Sequence, residues 1–172
     1  MPGNVVLVGF MGAGKSACGR LLARRLGRCF VETDDMIVGR DGRAIPEIFR
    51  QDGEEVFRRL ETEAVEALGL KSDDVIATGG GLPCREGRME ALRALGTVVW
   101  LRGDLDELRG RARRGGHRPM LDDRTPAEID ALYRAREPYY AQAHLTVDTA
   151  GLTIDQVVHR IVAALREAHA RV

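Results

Sequence analysis

The sequence predicts an α/β fold of three layers, α/β/α, with a five-stranded parallel sheet at its centre. Three observations carry that prediction. Five short, β-rich runs, most of them bounded by Gly or Asp, recur along the chain. Longer amphipathic stretches separate them, and strand–helix alternation of this kind gives a parallel sheet covered by helices on both faces. No repeat, low-complexity tract or linker interrupts the pattern, and 172 residues suit one domain spanning 1–172.

The elements follow in order. Val5–Val8 is the first strand, and Lys15–Leu26 the first helix, with Leu21, Leu22 and Leu26 as its apolar positions. Cys29–Val31 is the second strand. Gly53–Leu70 repeats Val56, Leu60, Ala64 and Leu68 at four-residue steps, the spacing of one helix face. Val75–Ala77 and Thr97–Leu101 are strands three and four, followed by helices over Arg85–Leu95 and Asp104–Arg113. Thr125-Pro126-Ala127-Glu128 is a capping box with proline at the first helical position, and Thr153-Ile154-Asp155-Gln156 is a second box. Leu145–Val147, between those two helices, is the fifth strand.

Composition excludes several classes of function. Basic and acidic residues number 26 each, so net charge is zero and neither nucleic acid nor a membrane surface is an expected partner. There is no apolar run of about 18 residues and no basic-then-apolar N-terminus, so neither a spanning helix nor a signal peptide is expected. Cys18, Cys29 and Cys84 lack CxxC spacing and fit reduced thiols in a cytoplasmic protein. His117, His144, His159 and His169 lack the spacing of a zinc site.

The strongest motif is Gly9-Phe10-Met11-Gly12-Ala13-Gly14-Lys15-Ser16, a full match to GxxxxGK[ST] between a strand and a helix. Its glycines let successive N–H groups turn inward on phosphate oxygens, and the helix adds the positive end of its dipole. Gly12, Ala13, Gly14, Lys15, Ser16 and Ala17 are therefore candidate ATP-binding residues. Lys15 is placed to reach the β- and γ-phosphates, and Ser16 to ligate Mg²⁺. Only Lys15 and Lys71 are lysines; every other basic residue is arginine. Lysine thus stands where a compact ammonium suits the phosphates better than a planar fork. Lys71, in Leu70-Lys71-Ser72-Asp73, does not form the [NT]KxD motif of a GTPase. A chain this short fits a small-molecule or nucleotide kinase.

The acceptor side is less local. Glu32-Thr33-Asp34-Asp35 ends strand two, at the sheet edge where open α/β folds bind ligands. Its carboxylates suit Mg²⁺ or a substrate hydroxyl; helix capping by Thr33 or Asp34 is the other reading. Arg58 and Glu61 form either a surface ion pair or the base of a carboxylate-forking arginine beside Phe49 and Phe57. Thr78-Gly79-Gly80-Gly81 either exposes backbone to a ligand or is a flexible loop. Tyr139 and Tyr140 read as packing for a last helix turn, and Cys84 as a buried or half-exposed thiol.

Taken in order from Gly9 to Tyr140, GFMGAGKS, ETD, IFRQDGEEVFRRLE, ATGGG, RPML and REPYY resemble the shikimate kinase family. The resemblance implies a P-loop kinase fold with a mobile lid over about 111–124 and an acceptor-binding region over about 33–61. It implies transfer of the γ-phosphate of ATP, with Mg²⁺, to the 3-hydroxyl of shikimate, in aromatic amino-acid biosynthesis. By similarity Asp34 orients or deprotonates the acceptor, and Arg58 and Arg136 grip its carboxylate. Gly79, Gly80 and Gly81 give backbone contact, Phe49 and Phe57 line the pocket, and Glu61 holds Arg58. Lys15 and Arg118 attend the transferring phosphate, with Arg118 in the lid, Glu32 stands beside Ser16 at the metal, and Arg111 stacks on adenine. The protein is expected to be a monomer. A gluconate or nucleotide kinase and a non-catalytic P-loop module are the alternatives.

Three positions depart from the family pattern. Glu32 replaces the usual first Asp, Met120 turns RPLL into RPML, and Asp148-Thr149-Ala150-Gly151 lacks the late arginine that packs on adenine in some members. Adenine binding is therefore expected to rest on Arg111 and backbone groups.

Overall fold

The computed structural model describes residues 3–69, 73–114 and 124–170. Its strands are β1 (Asn4–Val8), β2 (Phe30–Glu32), β3 (Val75–Ala77), β4 (Gly96–Arg102) and β5 (Leu145–Asp148). Its helices are α1 (Lys15–Leu26), α2 (Thr33–Asp41), α3 (Ile45–Leu68), α4 (Arg88–Leu95), α5 (Leu105–Arg114), α6 (Pro126–Tyr140) and α7 (Ile154–Ala170). All strand pairs are parallel, in the order β2-β3-β1-β4-β5, with Val6 opposite Ile76 on one side and Val98 on the other. The five expected strands are all present, with no end shifted by more than one residue and β3 as expected.

This order determines where a ligand can sit. From β1 the chain crosses to β2 at one edge, while every later connection runs the opposite way. Right-handed crossovers then send α1 to one face of the sheet and α3 and α4 to the other. The loops leaving β1 and β3, which are neighbours, diverge and open a crevice at their carboxyl ends. The glycine-rich turn of residues 9–14 and the triplet Gly79–Gly81 are the two loops that border it.

The core explains the strand sequences. β1 is buried at every residue, so it reads as a continuous Val/Leu run rather than an alternating one. It joins one large apolar cluster with Ile76, Val98, Leu101, Leu22, Ile161 and Leu165. A smaller cluster of Ile37, Ile48, Phe57 and Ala64 ties α2 to α3.

Three helices differ from expectation. α2 was not foreseen: it buries only Thr33 and Ile37, too few positions to show a 3.6-residue period. α3 begins at Ile45, with Pro46 in its first turn, rather than at Gly53. Gly53 is instead an internal break at φ 80° and ψ −178°, so the helix runs on either side of a kink. α4 begins at Arg88, because residues 79–84 wind as turns and Gly87, left-handed at φ 72°, precedes the helix. Both capping boxes form. Glu128 Oε2 accepts from Thr125 N at 2.7 Å while Thr125 Oγ1 accepts from Glu128 N at 3.3 Å. Thr153 and Gln156 exchange the same pair of bonds at 2.9 and 3.3 Å.

Candidate active site

The cradle is built by backbone. Gly14 caps α1 at φ 83° and ψ 19°, a left-handed conformation that glycine adopts without strain. Ala13 N donates to Phe10 O at 3.2 Å and closes the turn. Lys15 Nζ bends back over the loop, donating to the carbonyls of Gly9 at 2.8 Å and Phe10 at 3.1 Å. In the next position Ser16 Oγ donates to Glu32 Oε1, whose other oxygen accepts from Arg20 Nη2 at 3.2 Å. A hydroxyl and a carboxylate oxygen thus stand side by side. Such a hard-oxygen pair fits Mg²⁺, which takes few protein ligands and completes its shell with water and phosphate.

The acceptor side meets the cradle across the crevice. Thr33 Oγ1 accepts from Gly79 N at 2.9 Å, pinning the start of α2 to the loop after β3. The Asp34 carboxylate lies against that same glycine: a Cβ on Gly79 would stand 2.7 Å from Asp34 Oδ1. Arg58, one turn past the Gly53 kink, is held from two sides. Glu54 Oε1 accepts from its Nε and Nη2 at 3.0 and 2.8 Å, and Glu61 Oε2 from Nη1 at 2.8 Å. Glu61 is buried at 3 % exposure. Burial pushes its carboxyl above the usual range, against the hydrogen bond and charge of Arg58, which pull it down. Phe49 and Phe57 pack at 4.6 Å between ring centroids and wall this end.

Arg136 comes from α6 with 9 % exposure, its guanidinium 5.8 Å from the Phe10 ring centroid. The point that a Cβ on Gly81 would occupy is 3.2 Å from Arg136 Nη2 and 3.5 Å from Arg58 Nη1. Two guanidinium groups from separate helices therefore converge on one bare glycine. Like charges this close repel, and a carboxylate held by both forks offsets that repulsion.

At the far end of the cleft, Arg111 Nη2 donates to Glu107 Oε2 at 2.8 Å, and both Glu107 oxygens accept from Gly151 N at 3.2 and 3.3 Å. Leu152 and Ile154 line the same end, and Ile154 remains 47 % exposed. The whole cleft measures about 820 Å³ and includes the cradle, Glu32, Asp34, Phe49, Phe57, Arg58, Glu61, the glycine triplet, Arg111 and Arg136.

Comparison with known proteins identifies the family. A family model described as "Shikimate kinase" matches residues 11–166. A curated shikimate kinase of Moorella thermoacetica is 46% identical over 166 residues, covering 96% of each chain. This chain belongs to the shikimate kinase family. The kinase also superimposes on a solved shikimate kinase from Acinetobacter baumannii in complex with shikimate. That match has a TM-score of 0.90 and 34% identity, and it covers 96% of this chain and 94% of the other. A gluconokinase from Sinorhizobium meliloti matches with a TM-score of 0.61 at 20% identity, covering 96% and 93%, which shows a shared fold alone. The chain is thus an ATP-dependent kinase that phosphorylates a hydroxyl of shikimate.

The structure brings together all but one of the residues singled out from the sequence. Arg118 and most of the segment 111–124 lie outside the described residues. Sequence reasoning missed two features of the kinase. Ile154, an exposed apolar side chain lining the same cleft as Arg111, was hidden inside a capping box. Tyr140, read as packing, is fully buried yet donates its hydroxyl to Gly80 O at 2.6 Å. The available signal was its position four residues after Arg136, one turn along the same helix face.

Proposed function

We propose the following division of labour for phosphoryl transfer to the 3-hydroxyl of shikimate. The convergence of Arg58 and Arg136 on Gly81, across the crevice from Lys15, is the observation that carries it. The two arginines hold the shikimate carboxylate, with Glu61 and Glu54 keeping Arg58 in register. Gly79, Gly80 and Gly81 bring bare backbone against the ring, and Phe49 and Phe57 cover its apolar face. The α2–α3 pair, about residues 33–61, is then the acceptor-binding part of one kinase domain spanning 1–172.

On the donor side, backbone N–H groups from Gly12 to Ala17 receive the phosphates, and Lys15 offers its ammonium to the β- and γ-phosphates. Ser16 and Glu32 are the residues that would hold Mg²⁺. Bound there, the ion would neutralise charge on the β- and γ-phosphate oxygens. Glu32, where the resemblance leads one to expect Asp, brings its carboxylate to the Ser16 hydroxyl. Arg111 and Ile154 flank the base end, a cationic plane and an apolar face suited to adenine. Asp34, held against Gly79, accepts the hydrogen bond of the acceptor hydroxyl, orienting it and taking its proton. Arg118, by family resemblance, reaches the transferring phosphate from the lid. Phosphoryl transfer asks mainly for alignment and positive charge, which these residues supply.

The assay is ADP release from MgATP with shikimate, gluconate and nucleoside monophosphates offered separately, followed by ³¹P–¹H correlation of the product. Turnover with shikimate alone, and phosphorus coupled to H3, is the expected result. Equal turnover with gluconate, or phosphorus at another hydroxyl, would overturn the acceptor assignment. Function as a monomer in the cytoplasm completes the proposal. Among the described residues no helix is long and apolar enough to cross a membrane. Sedimentation with and without substrates tests the oligomeric part.

A further inference from the structure

The glycine triplet is the least constrained part of the acceptor pocket by sequence, yet its carbonyls are all engaged. Leu82 N donates to Gly79 O at 3.2 Å, and Cys84 N donates to Gly81 O at 3.1 Å. Between them, Gly80 O accepts from Tyr140 Oη at 2.6 Å and from Cys84 Sγ at 3.6 Å. The Tyr140 ring is sealed in the core, 6.0 Å from the Trp100 ring centroid. Burial pushes its phenol well above the ordinary range, with Cys84 adding to the rise and Arg136 opposing it. The hydroxyl therefore keeps its proton and acts as a permanent donor.

The peptide unit explains why this matters. In a planar trans peptide the carbonyl of Gly80 and the N–H of Gly81 point in opposite directions. Anchoring the carbonyl on the core side turns the Gly81 N–H toward the cleft, where Arg58 and Arg136 converge. Tyr140 also sits one helical turn beyond Arg136, so one helix face carries both the carboxylate fork and the anchor of the glycine loop. We propose that Tyr140 is a positioning residue for the acceptor: its hydroxyl fixes the Gly80–Gly81 peptide relative to Arg136, so that backbone and guanidinium meet the acceptor carboxylate as one unit. This rests on the shikimate site assigned above.

The test compares native enzyme with Tyr140→Phe, which removes only the hydroxyl, and with Trp100→Phe, which disturbs the packing of the same ring but leaves the hydroxyl. Tyr140→Phe should raise KM for shikimate about tenfold, equivalent to about 1.4 kcal/mol, while KM for MgATP stays within about twofold. Trp100→Phe should lower Tm and leave both KM values near native. An unchanged shikimate KM in Tyr140→Phe, or an equal rise in Trp100→Phe, overturns the proposal. Should Tyr140→Phe fail to fold, Cys84→Ala decides. It removes the weaker donor to the same carbonyl and leaves the Tyr140 bond. A shikimate KM within about twofold of native therefore supports the proposal, and a rise of about tenfold, which would make the thiol the anchor, overturns it. Arg136→Lys is run alongside. If it too leaves shikimate KM unchanged, the acceptor site itself is misplaced and both readings fall; if it alone raises KM, only the role of Tyr140 fails.

Discussion

Replacing Gly79 by alanine separates chemistry from stability at a single methyl group. The added Cβ would stand 2.7 Å from Asp34 Oδ1, 3.5 Å from its Cγ and 3.6 Å from Oδ2. The first contact falls about 0.7 Å short of the 3.4 Å at which ordinary van der Waals contact begins. Gly79 does not have a positive φ, so alanine fits its backbone conformation. The obstruction is the end of a side chain that can rotate, and folding should lose about 1 kcal/mol or less. Function has no such freedom, because a displacement near 1 Å of a group aligned on the reacting oxygen costs up to about 100-fold in rate. The expected result is a 10- to 100-fold fall in kcat/KM for shikimate, about 1.4–2.7 kcal/mol of transition-state stabilisation. KM for MgATP should stay near native and Tm should shift by about 2–4 °C at most. Steady-state kinetics with each substrate varied, beside a thermal melt, measure all of this. Native kcat/KM in Gly79→Ala would refute the claim that Asp34 works from its place against that glycine.

Other outcomes follow from the same geometry. Arg136→Lys should raise shikimate KM by about 10- to 100-fold with ATP binding near normal, since an ammonium cannot make the planar two-point fork; comparable KM values for variant and native enzyme would sink the assignment. Because burial lifts Glu61 above its ordinary value of 4.5, it gains its proton at a higher pH than an exposed glutamate. The folded state binds that proton more tightly, so Glu61 favours stability at low pH and disfavours it as pH rises through its folded pKa. Protonation also removes the charge that holds Arg58, so shikimate KM should climb on the acid side, and Glu61→Gln should show a raised KM without that climb. A pH profile unchanged by the substitution would contradict this. Glu32→Gln should raise the Mg²⁺ concentration for half-maximal nucleotide binding about tenfold and leave Mg²⁺-free binding unaltered; titration by fluorescent-nucleotide displacement reads both. An unaltered Mg²⁺ requirement would remove Glu32 from the metal site.

What the sequence revealed follows the range of the interactions involved. The cradle was legible because its constraint is local: contiguous residues, a preceding buried strand and a following helix are enough to specify it. The strands were legible for the same reason, since each contains a short β-rich run that can be recognised without its partners, even β2 and β5, which are only partly buried. α2 was not, because only Thr33 and Ile37 of it are buried and Gly39 and Gly42 resemble loop residues. Gly53 looked like a helix start since the apolar period begins there, whereas the chain kinks at that point and continues a helix already begun at Ile45. The acceptor pocket depends on contacts between distant segments, Asp34 on Gly79 and Arg136 beside Arg58, that no spacing rule encodes; only resemblance to the family linked them. Tyr140 shows the limit of both approaches. A buried tyrosine at a helix end packs in any fold, and its bond to Gly80, sixty positions earlier, becomes visible only when the loop after β3 is seen folded beneath α6.

The most direct test of the account is single-turnover transfer of the γ-phosphate to shikimate by Asp34→Asn, with the affinities of both substrates measured by calorimetry on the same protein. Asparagine keeps the shape and one acceptor oxygen but cannot take a proton. The account predicts that both substrates bind within about threefold of native while transfer slows by about 10²- to 10⁴-fold, the range of a lost general base. Transfer at near-native rate would contradict it, and would move the chemistry of this cleft away from the carboxylate that faces Gly79.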